Sequence, residues 1–147
     1  MANAELAELR EQAQGCRNCH LWENATQTVF GEGPADARIL FVGEQPGDVE
    51  DLRGRPFVGP AGQLFDRALE EAGIDRRQVY VTNAVKHFKF EPRGKRRIHQ
   101  KPDYNEIVAC GPWLTGELAN VSAKSVVALG ATAARALTGK TVTISRE

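Results

Sequence analysis

The 147-residue chain carries 19 Lys and Arg side chains against 19 Asp and Glu, so its formal net charge at pH 7 is zero. A composition of 41% hydrophobic and 26% charged residues excludes fibrous, collagen-like and wholly disordered chains, and the length is that of about one domain. Residues 1–85 hold 8 basic and 14 acidic side chains, residues 86–102 hold 7 and 1, and residues 103–147 hold 4 and 4. One short segment therefore carries the basic excess, either as a solvated face or as a surface for an anionic partner.

Nothing in the sequence predicts export or insertion into a membrane. No apolar run approaches the roughly 18 residues that a bilayer span requires, and the N-terminal residues have the pattern of a charged helix rather than of a signal peptide. The three cysteines, Cys16, Cys19 and the distant Cys110, make a poor disulfide framework. We therefore expect a cytoplasmic protein whose cysteines ligate a metal or take part in redox chemistry.

The hydrophobic pattern of the first half predicts a helix, a strand and a second helix. A charged helix over residues 1–15 precedes a short apolar run that ends in glycine at 37–43, which is typical of a buried parallel strand. Pro46 and Gly47 then predict a tight turn at the carboxyl end of this strand, where open α/β sheets bind their ligands. Apolar residues spaced three and four apart predict a helix over 60–73.

The second half repeats the alternation of strand and helix after a basic interruption. Asp103 predicts a helix start there, because Glu106 stands at the capping-box position. Such alternation is typical of a parallel sheet with right-handed crossovers and helices on both faces. The predicted elements are, in order, a strand over 78–83, a long polar loop over 85–102, a helix over 103–120, a strand over 124–130, a helix over 131–137 and a strand-like stretch over 141–144.

Three short motifs carry a resemblance to a known family. Residues 38–47 (RILFVGEQPG) and 54–62 (GRPFVGPAG) resemble the uracil-DNA glycosylase superfamily, in particular its iron–sulfur family 4 enzymes. Gln45 in the first motif and residues 95–99 (KRRIH) in the basic loop resemble the UdgX branch. The resemblance extends over residues 16–139, nearly the whole chain.

The resemblance implies a single domain over residues 1–147. Its fold would be a three-layer α/β/α arrangement around a central parallel four-stranded sheet. Family members continue beyond the position of Glu147 with a further strand, a His-Pro-Ser loop near the uracil and a last helix. We therefore expect this domain to be incomplete at its C-terminal side.

The base-binding residues follow from what a glycosylase must do. Such an enzyme flips the nucleotide out of the duplex, bonds its Watson–Crick edge and covers its face. The resemblance implies that Phe57 stacks on uracil and that Asn83 bonds its polar edge, since an amide offers an acceptor to N3–H and a donor to O4. The turn of Gly43, Glu44 and Gln45 would add backbone contacts. The expected DNA-binding residues are Gly59, Ala61, Gly62, Lys95, Arg96 and Arg97.

Two carboxylates and one histidine are the catalytic candidates beside Gln45. Breaking an N-glycosidic bond develops positive charge on the sugar. The resemblance implies that Glu44 and Asp48 flank the sugar, where a carboxylate could stabilise this charge, position water or accept a proton. Without the resemblance, both would be ordinary residues at a helix start, and His99 would be a solvated or phosphate-binding histidine. In the UdgX branch the histidine at the His99 position attacks C1′ and stays bound to the abasic sugar.

The cysteines require a fourth ligand. Family 4 enzymes hold a [4Fe–4S] cluster with four cysteines, and the third of them follows a Val-Lys pair that here precedes His87. We therefore expect Cys16, Cys19, His87 and Cys110 to hold the cluster. Ligand type alone leaves zinc and a cluster equally open. His20, next to Cys19, is a competing ligand.

The sequence thus predicts a monomeric uracil-DNA glycosylase of the UdgX type that acts on uracil in single-stranded or flipped-out form and traps the abasic sugar on His99. Two alternatives remain at this stage. One is a conventional iron–sulfur glycosylase that releases its product and uses His99 only to contact DNA. The other, relevant if the chain is truly truncated, is a metal-bound DNA-binding module without catalysis.

Overall fold

The computed structural model describes residues 2–139, with side chains from residue 5 onward. The helices and strands alternate largely as the sequence predicts, which confirms the α/β class. Their bounds are α1 Ala2–Ala13, β1 Ile39–Gly43, α2 Asp48–Arg53, α3 Pro60–Glu71, β2 Tyr80–Asn83, β3 Phe90–Arg93, β4 Arg96–His99, α4 Tyr104–Asn120, β5 Ser125–Ala128 and α5 Ala131–Thr138.

The central sheet is parallel and has the order β2-β1-β5. Leu40 of β1 lies opposite Tyr80 of β2 and Val126 of β5, so β1 is the middle strand. The expected four-stranded sheet is therefore represented by three strands among residues 2–139. The stretch 141–144, predicted as a further strand, lies outside the described residues.

Alternate residues of the strands face two helical layers, because successive side chains of a strand point to opposite faces. On one face, Leu40 and Val42 belong to a core cluster with Leu114 of α4 and Ala133 of α5, and α1 packs against α4. On the other face, Phe41 packs in a second cluster with residues of α3. The chain is therefore the three-layer sandwich that the sequence predicts.

The segment predicted as a long polar loop over 85–102 contains an antiparallel hairpin, so the loop prediction was wrong for its central part. Strands β3 and β4 pair with Phe90 opposite His99, and Gly94 makes the turn with φ +62°. The hairpin escapes a search for apolar alternation because its strands are mostly exposed and carry charged side chains. Its apolar support is local, since the rings of Phe88 and Phe90 lie 5.1 Å apart.

Two helix starts near the strand ends show what local sequence can and cannot predict. The capping box at α4 forms as expected: Asp103 Oδ1 accepts from Glu106 N at 2.9 Å, and Glu106 Oε1 accepts from Asp103 N at 2.8 Å. Helix α2, which begins directly after Gly47, was not predicted from the sequence. Gly47 N donates to Glu50 Oε1 at 3.0 Å, so a carboxylate within the helix accepts a hydrogen bond from the residue that precedes it.

Within residues 2–139, no helix combines the length and the apolar character needed to cross a lipid bilayer.

Candidate active site

A cavity of about 400 Å³ opens where β1 and β2 end. Parallel sheets bind ligands at this edge, because loops from neighbouring strands diverge there. The cavity collects seven of the residues predicted for the site from four separate segments of the chain. Its lining consists of Gln45, Gly47, Asp48, Val49, Glu50, Phe57, Pro60, Ala61, Gly62, Asn83 and His99.

Gly43, the last residue of β1, lies next to the two predicted base-binding side chains, Asn83 and Phe57. It lies opposite Asn83 in the parallel register of β1 and β2. A Cβ atom at Gly43 would lie 2.6 Å from Asn83 Oδ1 and 2.8 Å from Phe57 Cζ. The amide oxygen and the ring thus both lie within 3 Å of the position that a side chain at Gly43 would occupy, an arrangement that can bond the edge of a planar base and cover its face.

Phe57 is the only residue other than glycine with a positive φ, +55°, among residues 2–139. This conformation costs a side-chain-bearing residue on the order of 1–3 kcal/mol, so the surroundings must hold it. Glu50 Oε2 accepts from Val58 N at 3.0 Å and from Gly59 N at 2.6 Å. At Gly62 a Cβ would lie 2.1 Å from Phe57 O, so only glycine allows α3 to start this close to the turn.

Glu44 and His99 come together although they lie far apart in the sequence. His99 Nε2 lies 3.2 Å from Glu44 Oε1, and Glu44 Oε2 accepts a hydrogen bond from Thr132 Oγ1 at 2.7 Å. The His99 side chain is 54% exposed at the mouth of the cavity. A carboxylate in this position can take a proton from the imidazole or from a water beside it.

Gln45 fastens the hairpin to the end of β1. Its Nε2 donates to Gln100 O at 2.6 Å, and its Oε1 accepts from Lys89 N at 2.7 Å. Both partners are backbone groups at the two roots of the hairpin. The Gln45 side chain therefore fixes the position of His99, the last residue of β4, at the mouth of the cavity.

The three consecutive cations of the hairpin, Lys95, Arg96 and Arg97, lie in two different environments. Arg97 turns inward: its Nε donates to Asp48 Oδ1 and its Nη1 to Asp51 Oδ2, both at 2.6 Å. Asp51 is fully buried, and it also accepts from Thr26 N at 2.9 Å. Lys95 and Arg96 are exposed. The predicted sugar-facing carboxylate Asp48 is thus an ion-pair partner of Arg97 as well as a lining residue.

A buried ion pair lies directly beneath Asn83. Lys86 Nζ donates to Glu117 Oε1 at 2.5 Å, to Thr82 Oγ1 at 2.7 Å and to Asn83 O at 2.5 Å. Both charged side chains are completely buried. Glu117 also accepts from Tyr80 OH at 2.6 Å, and burial raises the pKa of that phenol above its ordinary range.

The three cysteines are free thiols and lie near one another. Cys19 and Cys110 pack in one apolar cluster, and Trp113 Nε1 lies 3.1 Å from Cys16 Sγ. Burial raises the pKa of Cys110 to about 11 and also raises that of Cys19, with the neighbouring cysteines adding to both. The thiols of Cys19 and Cys110 therefore hold their protons at neutral pH, and a bound metal would have to displace these protons.

His87 is buried and lines one small cavity together with Cys16, and burial lowers the pKa of its imidazole. Its Nε2 shares a hydrogen bond of 2.8 Å with Thr28 Oγ1, whereas its Nδ1 has no partner among the described residues. His20, the competing ligand, bonds Glu106 Oε2 at 2.7 Å. No group of three or more Cys, His, Asp or Glu side chains is arranged to hold a metal ion within residues 2–139. The thiols and the unpartnered nitrogen fit a metal by donor type, without forming a closed site.

Comparisons with known proteins show the family of this chain. The family model described as the Uracil DNA glycosylase superfamily matches residues 30–146. This chain belongs to that superfamily. A type-4 uracil-DNA glycosylase of Thermotoga maritima is 43% identical over 144 residues, which cover 97% of this chain and 71% of the relative. A type-4 enzyme of Sulfurisphaera tokodaii is 41% identical over 126 residues, which cover 85% of this chain and 54% of the relative.

A type-5 uracil-DNA glycosylase of Pyrobaculum aerophilum is also similar, at 31% identity over 90% of this chain and 62% of the relative. The chain thus spans between about half and seven-tenths of the length of these superfamily members.

Several residues that build the pocket had no signal in the sequence analysis. Glu50 and Asp51 lie in α2, which was not predicted, and Arg76 stands outside every motif. Lys86 entered the prediction only as a basic residue of the loop and as part of the Val-Lys pair before His87. Burial of charge is the property that singles out three of them, since Glu50, Asp51 and Lys86 are all buried. A sequence pattern alone does not reveal which charges the fold will bury.

Proposed function

We propose that this protein excises uracil from DNA. The observation that carries the proposal is the meeting of Asn83 Oδ1 and the Phe57 ring over Gly43, inside a cavity at the strand ends. The amide would bond N3–H and O4 of a flipped uracil, while the ring covers its face. The type-4 and type-5 names of the similar proteins support the same substrate.

In the proposed reaction, the bond between C1′ and N1 of uracil breaks, and its electron pair leaves on the base. Positive charge develops on the sugar, next to the Glu44 carboxylate. A water molecule then supplies the new bond to C1′, and Glu44 takes its proton. Lys95 and Arg96 would bind the phosphates on either side of the flipped nucleotide, whereas the amide of Gly59, predicted to contact DNA, is already bonded to Glu50.

Release of free uracil from an oligonucleotide that contains one uracil tests this function. We expect the whole purified protein to release uracil repeatedly, and to leave a matched thymine oligonucleotide intact. Asn83→Ala should abolish most of the release. Asn120→Ala, which removes an amide at the far end of α4, should not change it. A wild-type protein that binds the oligonucleotide without releasing uracil would instead favour a non-catalytic DNA-binding module.

A second candidate is the covalent reaction of the UdgX type, in which His99 replaces water as the nucleophile. The contact of 3.2 Å between His99 Nε2 and Glu44 Oε1 favours it, because the carboxylate would take the proton as the imidazole bonds to C1′. The similarity to type-4 enzymes favours turnover instead. We therefore rank turnover first.

The two reactions differ in what remains attached to the DNA. A covalent product migrates with the protein in SDS after incubation with the uracil oligonucleotide, whereas turnover leaves free protein and an abasic strand. His99→Ser should remove such a crosslink and preserve part of the excision. Gln100→Ala is the matched hairpin control, because Glu91 is the only hydrogen-bond partner of its side chain within residues 2–139. Free uracil without any crosslink would exclude the covalent reaction.

Cys16, Cys19, Cys110 and His87 Nδ1 are the proposed ligands of a [4Fe–4S] cluster. When bound, the cluster would tie the N-terminal segment and the root of the hairpin to α4, and glycosidic hydrolysis needs no electron from it. Iron and zinc analysis together with the visible absorption of the anaerobically purified protein tests the metal. His87→Cys should keep the iron content if His87 is a ligand, and His20→Ala should leave it unchanged.

A further inference from the structure

Arg76 holds the backbone of the turn that carries Phe57. It lies in a short 3₁₀ turn, Arg76–Gln78, between α3 and β2. Its Nη1 donates to Phe57 O and its Nη2 to Pro56 O, both at 3.1 Å. Nη1 also pairs with Asp66 of α3, so the guanidinium links two consecutive carbonyls to a helix that is packed on the sheet.

The turn needs such support because Phe57 has a left-handed backbone, which an aromatic residue adopts only when its surroundings enforce it. Glu50 holds the two amides that follow, at Val58 and Gly59. Arg76 holds the two carbonyls at Pro56 and Phe57. An anion therefore binds the amides and a cation binds the carbonyls of one strained turn.

Arg76 does not reach the site of the base. It lines a separate cavity of about 540 Å³ behind Phe57, together with Glu32, Arg55 and Val79, and it is absent from the lining of the cavity in front of the ring. Its guanidinium also lies 5.5 Å from the centroid of Phe65, whose ring is 5.1 Å from that of Phe57. Arg76 thus supports both the backbone of Phe57 and the ring behind it.

We propose that Arg76 is a positioning residue for base recognition, which keeps the ring of Phe57 turned into the cavity where uracil would bind. The inference rests on the proposed uracil excision and adds to it a residue that acts only through Phe57. Without the two hydrogen bonds, the turn would relax toward a negative φ and carry the ring away from the base. A lysine cannot replace this arginine, because an ammonium does not offer the planar fork that reaches two carbonyls and a carboxylate.

Single-turnover excision of uracil by Arg76→Ala and Arg76→Lys in the whole purified protein tests the proposal. The rate should fall on the order of 10-fold to 100-fold in both variants, as for a misplacement of about 1 Å at a reacting site. Affinity for the oligonucleotide should stay near the wild-type value, because the phosphate-binding cations lie on the hairpin. Arg77→Ala is the matched control: its side chain is 88% exposed and pairs with Asp75 in the same turn.

A double-mutant cycle with Phe57→Ala separates positioning from a general loss of stability. If Arg76 acts through Phe57, Arg76→Ala should change the rate less than about twofold in the Phe57→Ala background, since coupled residues are not additive. Multiplicative effects of the two changes would show that Arg76 acts elsewhere, and would overturn the proposal. So would a full rescue by Arg76→Lys.

Hydrogen exchange at the amides of Val58 and Gly59 provides a readout that does not depend on activity. Arg76→Ala should speed this exchange, and Arg77→Ala should not. Equal protection in both variants would show that the turn holds without Arg76. A wild-type protein that releases no uracil would refute the proposed function instead, and the exchange would still decide whether Arg76 holds the turn.

Discussion

At the scale of single residues, the site depends on Gly43, which has no side chain, as much as on the side chains around it. Gly43 ends β1, and its register partner is Asn83. Because nothing projects from Gly43, the Asn83 amide and the Phe57 ring can approach each other over the backbone. The glycine is therefore required by the close approach of two side chains rather than by its own φ angle.

Gly43→Ala should reduce uracil excision by on the order of 100-fold, because a displacement of about 1 Å at a reacting site has that effect. The new methyl group would lie 2.6 Å from Asn83 Oδ1 and 2.8 Å from Phe57 Cζ, so both groups would have to move. Each of these atoms is the end of a side chain that can shift. The melting temperature should therefore fall by only a few degrees, and single-turnover kinetics with thermal unfolding measures both effects.

Gly111→Ala is the control for this substitution. Gly111 lies within α4, and a Cβ there would meet no described atom within 4 Å. Its excision rate should match the wild type. Equal rates for Gly43→Ala and the wild type would contradict the role assigned to Gly43.

At the scale of elements, the basic hairpin has an inward and an outward surface. Arg97 faces Asp48 and Asp51, and its guanidinium lies 5.2 Å from the centroid of Phe88. Lys95 and Arg96 face solvent at the end of the hairpin. The ion pairs of Arg97 with the two carboxylates hold the hairpin over the cavity. The exposed Lys95 and Arg96 remain available to bind phosphate.

The double substitution Lys95→Ala, Arg96→Ala should weaken binding to single-stranded DNA and reduce its dependence on salt. Each phosphate contact to a single strand contributes a slope of about 0.7 in log K against log salt, so the loss of two contacts should lower the slope by about 1.4. Titrations of a labelled oligonucleotide at several salt concentrations measure this slope.

Arg38→Ala, Lys124→Ala is the matched control, since it removes the same two charge types. Both residues are exposed and directly precede β1 and β5, so they lie at the amino ends of the parallel strands, opposite the cavity. The control should leave the salt slope unchanged. If both double variants change the slope equally, net charge rather than the hairpin governs DNA binding.

Gln45→Ala should loosen the hairpin without unfolding the protein. The change removes both hydrogen bonds between the end of β1 and the hairpin roots at Lys89 and Gln100. Amide exchange across β3 and β4 should accelerate, and uracil excision should fall on the order of 10-fold because His99 is no longer held beside Glu44. Unchanged exchange relative to Gln100→Ala would mean that the aromatic contacts of the hairpin suffice.

At the scale of the whole molecule, one buried ion pair connects the site to the core. Lys86 bonds the backbone of Asn83 on one side and Glu117 of α4 on the other, and Glu117 also accepts from Tyr80 of β2 and from Gly31 N at 3.1 Å. The strand end that carries the predicted base-binding amide is thereby fixed to a helix on one face of the sheet.

Lys86→Met should lower the free energy of unfolding by about 3–5 kcal/mol, because removing one partner leaves the Glu117 carboxylate buried without its cation. Chemical denaturation measures the loss.

The double substitution Lys86→Met, Glu117→Gln should recover a substantial part of the lost free energy of unfolding. The amide introduced at position 117 would keep an acceptor for Tyr80 without a buried charge. A double variant as unstable as the single one would show that packing of the lysine stem, rather than the uncompensated charge, sets the cost.

The sequence by itself determined the α/β layers and the capping box at Asp103, and it predicted Phe57 and Asn83 as base-binding residues, which the structure brings to one cavity. Strand burial and helix caps follow from patterns a few residues long, and the two base-binding residues were predicted from short motifs. Only the tertiary structure decided that β3 and β4 form a hairpin, that Glu44 meets His99, and that Arg76 holds Phe57. These features join segments distant in the chain, and their geometry depends on which charges the packed core buries and which partners it brings within hydrogen-bonding distance.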